Sequence, residues 1–474
     1  MKKTAYITTT LPYVNAEPHL GFAFELVQAD VLARFWRQQG VEVIFNTGTD
    51  EHGLKIYKKA VEEKKDPQAY VDEYAVKFEK LKEALNLTYT NFIRTTDTSH
   101  KLAAQEFWQR CAKRGDIYKK TYKIKYCVGC ELEKTESELI DNHCPLHPNQ
   151  ELEIIDEENY FFKFSRYQSH LLKLYTDNPN FIVPDFRLKE IHNFVTKGLE
   201  DFSISRLKSK MPWGVEVPQD PDHVMYVWFD ALINYISTLG WPKDETKFKL
   251  FWPGIQIAGK DNLRQQAAMW QAMLMSAGIP NTKQIIIHGF ITSNGQKMSK
   301  SLGNVIDPYN LVNQWGVDAV RYYLLREIPT FDDGDYSDTR MREVYNADLA
   351  NELGNLVSRV TQLCEQNEIV INVKEAKIPR SSELGGFSAH VENYQLNLAL
   401  EELWRDVKKL NGEINHEEPW KKQKKDASLY LRSYVNRIRD IAFGLEPFLP
   451  ETAKKIMNAT QGKVTKTEPL FPKK

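Results

Sequence analysis

The chain has 474 residues, and at about 100 to 200 residues per domain that length calls for roughly three to five units and excludes a lone binding module. Lys and Arg total 63 against 64 Asp and Glu, a net charge of -1, so no overall field draws in nucleic acid and any such footprint must be local. With 42% hydrophobic and 12% aromatic residues the chain can fill several cores, which excludes disorder as its dominant state.

The N-terminus carries Lys2 and Lys3 but meets Thr8, Thr9 and Thr10 where a signal peptide needs an unbroken apolar stretch. Nowhere is there a run of about 18 apolar residues, the length a membrane span requires. Five cysteines are too few for a disulfide framework at this length. These features predict a cytoplasmic protein that makes no use of a membrane.

In chain order, Tyr6-Ile7-Thr8-Thr9 reads as the first strand. After a loop holding Pro12, Asn15 and Pro18, residues 19–39 place Phe24, Val27, Val31 and Phe35 at steps of three and four, and Gly40 stands where a helix would end. Residues 41–45 form a second apolar run. Strand, helix and strand within about 40 residues make a βαβ unit, so the fold class is α/β with a parallel sheet.

The sheet pattern stops near Gly115 and resumes at Met225-Tyr226-Val227-Trp228-Phe229, expected as a strand. A helix, the strand at 255–258, a long helix at 262–277 and the strand at 284–287 follow. The roughly 110 residues between the halves, with strand-like pieces such as Tyr160-Phe161-Phe162, read as a domain inserted into a split α/β domain. From about Asn346 helical periods dominate, apart from Ile369-Val370-Ile371, and a helical bundle is expected. Residues 351–474 hold 20 Lys plus Arg against 17 Asp plus Glu, a small basic excess that sits mainly in Lys421, Lys422, Lys424, Lys425 and the last lysines.

The strongest local pattern is Cys127-x2-Cys130 followed by Cys144-x2-His147. Each turn lets two ligands converge on one ion, and three thiolates with one imidazole complete a closed tetrahedral site, predicting one structural Zn2+. Cys111 and Cys364 have no partners at ligand spacing and read as small buried residues. Just before the knuckle, residues 118–126 interleave four lysines with three tyrosines. This suits a surface that follows a phosphate backbone or an edge strand guarded by lysines.

The loop after the first strand brings His19 and Gly21 to the start of a helix, where free N–H groups and the positive helix end suit phosphate. Far downstream, Gly295-Gln296-Lys297-Met298-Ser299-Lys300-Ser301 carries two lysines and two hydroxyls on a Gly/Ser loop. Two ammonium groups there can neutralise charge that builds on a pyrophosphate leaving group.

This pair of signatures resembles that of the class I aminoacyl-tRNA synthetases, and the likeness is to the methionyl family along nearly the whole chain. Residues 10–15, Gly48-Thr49-Asp50-Glu51-His52-Gly53, residues 226–232, Gly259-Lys260-Asp261 and His288-Gly289 stand where that family has them. The resemblance implies a Rossmann-like catalytic domain split into residues 1–115 and 225–295, a zinc-knuckle insertion at 116–224, a loop and stem-contact linker at 296–345, and a helical anticodon-binding domain at 346–474. It implies that His19, Gly21, Gly259, His288, Lys297 and Lys300 bind ATP with Mg2+, and that Lys260 and Asp261 lie at the reacting groups. By the same resemblance Asp50 receives the amino group of L-methionine. Leu11, Tyr13, Trp228, Leu232, Tyr235 and Gln266 line its side-chain pocket, where aromatic rings suit a thioether. Asn355, Arg359 and Trp420 match the readers of the CAU anticodon of tRNA(Met), initiator included. Three positions depart from the family: Phe22 replaces a second histidine, and Asn262 and Gln266 replace Ile and His.

The activity implied is ATP-dependent ligation of methionine to tRNA through a methionyl-adenylate. A class I enzyme for leucine, isoleucine or valine would carry a larger editing insertion, because small apolar side chains differ by only about 1 to 3 kcal/mol in a pocket. A non-catalytic tRNA-binding paralogue is the other reading, motivated by Phe22, Asn262 and Gln266. With the chain ending soon after the bundle, a monomer is expected.

Overall fold

The computed structural model describes residues 3–130, 132–134, 138–298, 303–371 and 386–474, with only the backbone described at Tyr122, Ile124, Leu132, Glu133 and Ile155. In chain order the strands are β1 (Thr4–Thr8), β2 (Glu42–Thr49), β3 (Asn91–Arg94), β4 (Ile117–Cys127), β5 (Leu132–Lys134), β6 (Glu153–Phe162), β7 (Ile182–Val183), β8 (Phe202–Ser203), β9 (Ser205–Leu207), β10 (Glu216–Val217), β11 (Asp220–Met225), β12 (Ile255–Gly259), β13 (Gln284–His288), β14 (Ile291–Ser293), β15 (Gln296–Lys297), β16 (Gly334–Tyr336), β17 (Val370–Ile371) and β18 (Gly462–Lys463). The helices that bear functional residues are α1 (Leu20–Gln38), α2 (Thr98–Lys113), α3 (Val227–Ala231), α4 (Trp270–Ala277), α5 (Asn355–Gln366), α6 (Leu396–Glu417) and α7 (Lys424–Leu445).

The chain forms two compact units, one of Met1–Pro18, Val43–Lys80 and Tyr89–Ile287, the other of His19–Glu42, Leu81–Thr88 and His288–Lys474. The first is built on a six-stranded sheet in the order β3-β2-β1-β12-β13-β7. Its pairs β2–β3, β1–β12 and β13–β7 are parallel. β12 is buried at every position and β13 at all but its first residue, as continuous apolar strands of a covered parallel sheet should be. Gly48 in β2 lies so close to β3 that a Cβ there would sit 1.8 Å from the Ile93 carbonyl oxygen. Behind the sheet, Phe107 of α2 stacks on Trp270 of α4 at 5.7 Å and meets Phe229 of α3 edge-on at 5.9 Å. This aromatic cluster fixes α3.

The run at 225–229, expected as one strand, divides. β11 ends at Met225, Tyr226 turns with ψ 139, and Val227 begins α3. β11 also pairs antiparallel with β9 and β10 rather than joining the parallel sheet. An apolar run buried on all sides has no period to separate strand from helix, so the sequence could not mark the switch. The expected helix at 262–277 is a 3₁₀ turn at Lys260–Asn262, a π-helical turn at Gln265–Met269, and then α4.

Between the two halves of the sheet, β4 pairs antiparallel with β6 from Ile117↔Phe162 to Tyr126↔Glu153. The lysine and tyrosine stretch is this strand. Lys119 reaches Asp220 at 2.8 Å, and Lys123, directly opposite Asp156, lies 3.9 Å from its carboxylate. Lys123 and Asp156 are ordinary cross-strand neighbours, and β4 lies between β5, which it meets at Lys125–Cys127, and β6, so the stretch is not an edge strand along its whole length.

In the second unit His19 caps α1, its Nδ1 accepting from the Gly21 N–H at 3.1 Å, and Gly40 at φ 77 follows the helix end. Fully buried Arg321, in the helix Val317–Arg326, ties α1 to chain segments far away. It pairs with Asp30 at 2.9 Å and donates to the carbonyls of Leu85, Pro447 and Phe448. Burial works against ionisation of Asp30, but Arg321, Arg34 and Thr88 together hold its carboxyl below the usual range. Arg321→Met would leave Asp30 with Arg34 and Thr88 alone and strip the carbonyls of Leu85, Pro447 and Phe448 of their buried donor, so it is expected to cost about 3–5 kcal/mol in guanidinium unfolding followed by circular dichroism. An unchanged unfolding curve would contradict this.

Candidate functional site

Parallel sheets place ligands beyond the carboxyl ends of their strands, and the nominated residues of the first unit begin where strands end. β1 gives way to the loop with Leu11 and Tyr13, β2 to Asp50, and β12 closes at Gly259 before Lys260 and Asp261. Backbone bonds stitch the first two loops together. The Asp50 N–H donates to Pro12 O at 3.0 Å and the Val14 N–H to Asp50 O at 3.3 Å, with a parallel bridge between Tyr13 and Asp50.

Across from this stitch lies α3. The Tyr13 and Trp228 rings meet edge to face at 6.3 Å. Leu232, just past α3, and Tyr235 are buried. Gln266, in the π-helical turn, donates from Nε2 to the Tyr235 hydroxyl at 2.6 Å. The structure thus brings together Tyr13 with Asp50, Tyr13 with Trp228, and Tyr235 with Gln266. Leu11 is half-buried in the same loop as Tyr13, Gly259 is buried, Lys260 is half-buried and Asp261 is exposed. Asn262 turns its amide to the Asp261 carboxylate at 3.3 Å. The arrangement offers an apolar, ring-lined wall beside a carboxylate, which suits a free amino acid with a flexible apolar side chain.

Three residues sequence reasoning did not single out lie behind this wall. The Asp230 carboxylate of α3 receives His52 Nδ1 at 2.6 Å and His100 Nε2 at 2.8 Å, and His100 Nδ1 meets the Ser237 hydroxyl at 2.9 Å. Burial opposes ionisation of Asp230, yet the two imidazoles outweigh it and hold the carboxyl below the usual range. His52 and Asp230 each stand inside a stretch that carries the resemblance, but they are 178 residues apart and no linear spacing reveals that pairing.

In the second unit, His19, Gly21 and Met298 are close neighbours. A Cβ on Gly21 would lie 3.0 Å from the His19 ring and 3.9 Å from the Met298 methyl. Phe22 packs as a buried first-turn residue of α1. His288 is buried, with Nδ1 at 2.7 Å from Gly289 O and Nε2 at 2.9 Å from the Glu25 carboxylate. Lys297 is exposed on β15, and its carbonyl accepts from the Asn304 amide at 3.1 Å. Asp335 of β16 grips this hairpin, accepting from Thr292 Oγ1 at 2.6 Å and from the Gly295 N–H at 2.8 Å. Lys300, nominated with Lys297, lies outside the described residues, as do Ser299 and Ser301.

The nominated metal ligands converge. The donor atoms of Cys127, Cys130, Cys144 and His147 all lie within 4.8 Å of one another. Cys130 Sγ is 3.4 Å from Cys144 Sγ and 3.2 Å from His147 Nδ1, while Cys127 Sγ is 3.7 Å from that nitrogen. A tetrahedral zinc with bonds of about 2.3 Å to sulfur separates its ligands by about 3.8 Å, so the set fits the ion. Gly129 is required inside the turn, because a Cβ there would lie 2.5 Å from the His147 ring.

On the helical part of the second unit, Asn355 and Arg359 sit one turn apart on α5 and so share a face. Arg359 donates to Asn415 Oδ1 at 2.6 Å and to Asn411 Oδ1 at 3.1 Å, both on α6. Trp420, in the 3₁₀ turn that follows α6, is 48% exposed, which leaves a large ring open to stacking.

Residues 5–151 and 132–361 match the family model described as tRNA synthetases class I (M). A methionine–tRNA ligase of Thermosynechococcus vestitus is 43% identical over 471 residues, covering 95% of this chain and 88% of the relative. One of Thermotoga maritima is 39% identical over 475 residues, covering 95% and 74%. Among solved structures, the Mycobacterium tuberculosis methionyl-tRNA synthetase in complex with methionyl-adenylate shares 36% identity at a TM-score of 0.91, covering 99% of this chain and 100% of that one. With its parallel sheet, its cysteine and histidine cluster and these matches over nearly all its length, the chain belongs to the methionyl family of class I aminoacyl-tRNA synthetases.

Proposed function

We propose that the chain activates L-methionine with Mg2+-ATP and passes it to tRNA(Met), initiator included. The observation that carries this reading is the likeness, at a TM-score of 0.91 over 99% of the chain, to a synthetase that holds methionyl-adenylate. The methionine carboxylate attacks the α-phosphorus of ATP, pyrophosphate leaves, and the terminal ribose hydroxyl of the tRNA then takes the aminoacyl group with release of AMP. Asp50 pairs with the amino group, and Leu11, Tyr13, Trp228, Leu232, Tyr235 and Gln266 enclose the thioether. His19, Gly21, Gly259 and His288 bind the nucleotide. Lys297 and Lys300 neutralise the pyrophosphate, while Lys260 and Asp261 orient the reacting groups. Rate then comes from positioning and charge stabilisation, with no covalent enzyme intermediate.

A Zn2+ ion held by Cys127, Cys130, Cys144 and His147 serves to brace the tip of the insertion; four protein ligands leave no open position for chemistry. Asn355, Arg359 and Trp420 read the anticodon. The division at 115, 224, 295 and 345 belongs to this reading, except that β7, within 116–224, pairs with β13 in the six-stranded sheet; a monomeric state and a cytoplasmic location belong to it as well. Among the described residues no helix is long and apolar enough to cross a membrane.

The test is amino-acid-dependent ATP–pyrophosphate exchange. Exchange with methionine and none with leucine or cysteine is expected, and no exchange despite tRNA binding would leave only the paralogue reading. In the same preparation Trp420→Ala should lower tRNA charging by roughly 5- to 150-fold, the equivalent of about 1–3 kcal/mol of base stacking, while exchange stays unchanged. For the metal, mass spectrometry under native conditions should find one zinc per chain. Cys144→Ser should lose it together with protection of the knuckle from protease, and a Cys144→Ser protein that keeps its zinc would remove Cys144 from the ligand set.

A further inference from the structure

We infer that Asp230, received between His52 and His100, is a positioning residue that holds the Asp50 loop and the Trp228 helix at the spacing methionine requires. The inference rests on the proposed role of Asp50 and Trp228. Three observations within the first unit carry it. First, the triad joins separate pieces of chain: His52 lies two residues after Asp50, Asp230 two residues after Trp228, His100 is on α2, and Ser237 closes the far end. Second, every member is enclosed, with Asp230 and His100 0% exposed and His52 2%. A hydrogen-bonded carboxylate there has no water to fall back on, so its geometry is strongly enforced. Third, the His52 end is fixed from outside the triad. The Trp213 ring meets the His52 ring edge-on at 5.6 Å, and Trp213 Nε1 donates to Glu51 O at 2.6 Å.

The consequence is a rigid strut. Asp50 is tied through its backbone to the Tyr13 loop, and the loop after it is tied through His52 to Asp230. Trp228 therefore cannot move away from Asp50 without breaking a buried ionic hydrogen bond. Both carboxylate oxygens are taken by imidazole nitrogens, so the triad acts through placement and has no group to offer a substrate. A purely structural group would govern how much protein folds. A strut of the amino-acid pocket governs how well each folded molecule binds methionine.

The experiment compares His52→Ala, His52→Asn and Asp230→Asn with the parent protein in methionine-dependent exchange, varying methionine and ATP separately. Asparagine at 52 keeps a donor where Nδ1 stood. His52→Ala and Asp230→Asn are expected to raise the methionine KM about tenfold or more, the scale set by small misplacements of a binding group, with the ATP KM within about twofold. His52→Asn should recover most of the affinity. Methionine KM unchanged in His52→Ala, with only the active fraction or melting temperature lowered, would overturn the strut, as would equal rises in both KM values. If Asp230→Asn does not fold, the His52 pair decides alone. A parent protein without methionine-dependent exchange would instead refute the proposed function, a separate outcome from a parent that is active and variants that keep its KM.

Discussion

The joint between the ends of β1 and β2 sets where everything else in the first unit can stand. It begins inside the sheet, where Thr9 Oγ1 bonds Thr47 Oγ1 at 2.9 Å and Asn46 Nδ2 bonds Thr8 Oγ1 at 3.0 Å, all four side chains buried. It continues past the strands as the backbone stitch of Pro12 and Val14 to Asp50. Hydrophobic contact between two strands tolerates sliding, but a line of buried polar pairs admits one register, since a slip leaves donors and acceptors unmatched without water. That register fixes which side chains emerge together, namely Tyr13 beside Asp50.

Two kinds of binding follow from two kinds of support. In the first unit the ring wall is packed: Trp228 and Tyr235 lie on short helices, with Leu232 between them, pressed against the Phe107 and Trp270 cluster. Such a surface discriminates by shape. In the second unit Lys297 is exposed at the end of a small hairpin that Asp335 holds by its turn. In the proposed reaction a flexible ammonium there would supply charge without demanding one fixed geometry. The cysteine and histidine knuckle is different again. It sits beyond a ten-pair ladder of β4 and β6 in which Lys119 and Lys123 are answered by acidic groups, so the proposed ion would brace a tip that already has a firm stem.

Much of this was legible in the sequence. The βαβ opening and the buried strands at 255–258 and 284–287, each one residue longer in the structure, follow from apolar runs between turn residues, and the ligand turns of the knuckle from two short spacings. Period failed at 225–229, where burial on every side erases the difference between strand and helix, and the π-helical turn at 265–269 left no mark on the pattern. The lysine and tyrosine stretch was ambiguous because its meaning depends on the opposite strand, which carries Asp156 and Glu158. Hidden altogether were the contacts that act at a distance along the chain: Asp230 with His52 and His100, Glu25 with His288, Asp335 with the 292–295 turn. Each polar residue alone looks like any surface acid or histidine, and only the fold shows that it is enclosed and what it holds.

Pairing of the two strand-end loops preforms the proposed amino-acid site. Native-state hydrogen exchange at the amide of Asp50, which bonds Pro12 O at 3.0 Å, tests it most directly. This amide is expected to be slowed on the order of 10³-fold or more in protein free of methionine and to change little when methionine is added. Exchange near the rate of an open loop until methionine is present would contradict it, because the site would then be assembled by its ligand rather than waiting for it.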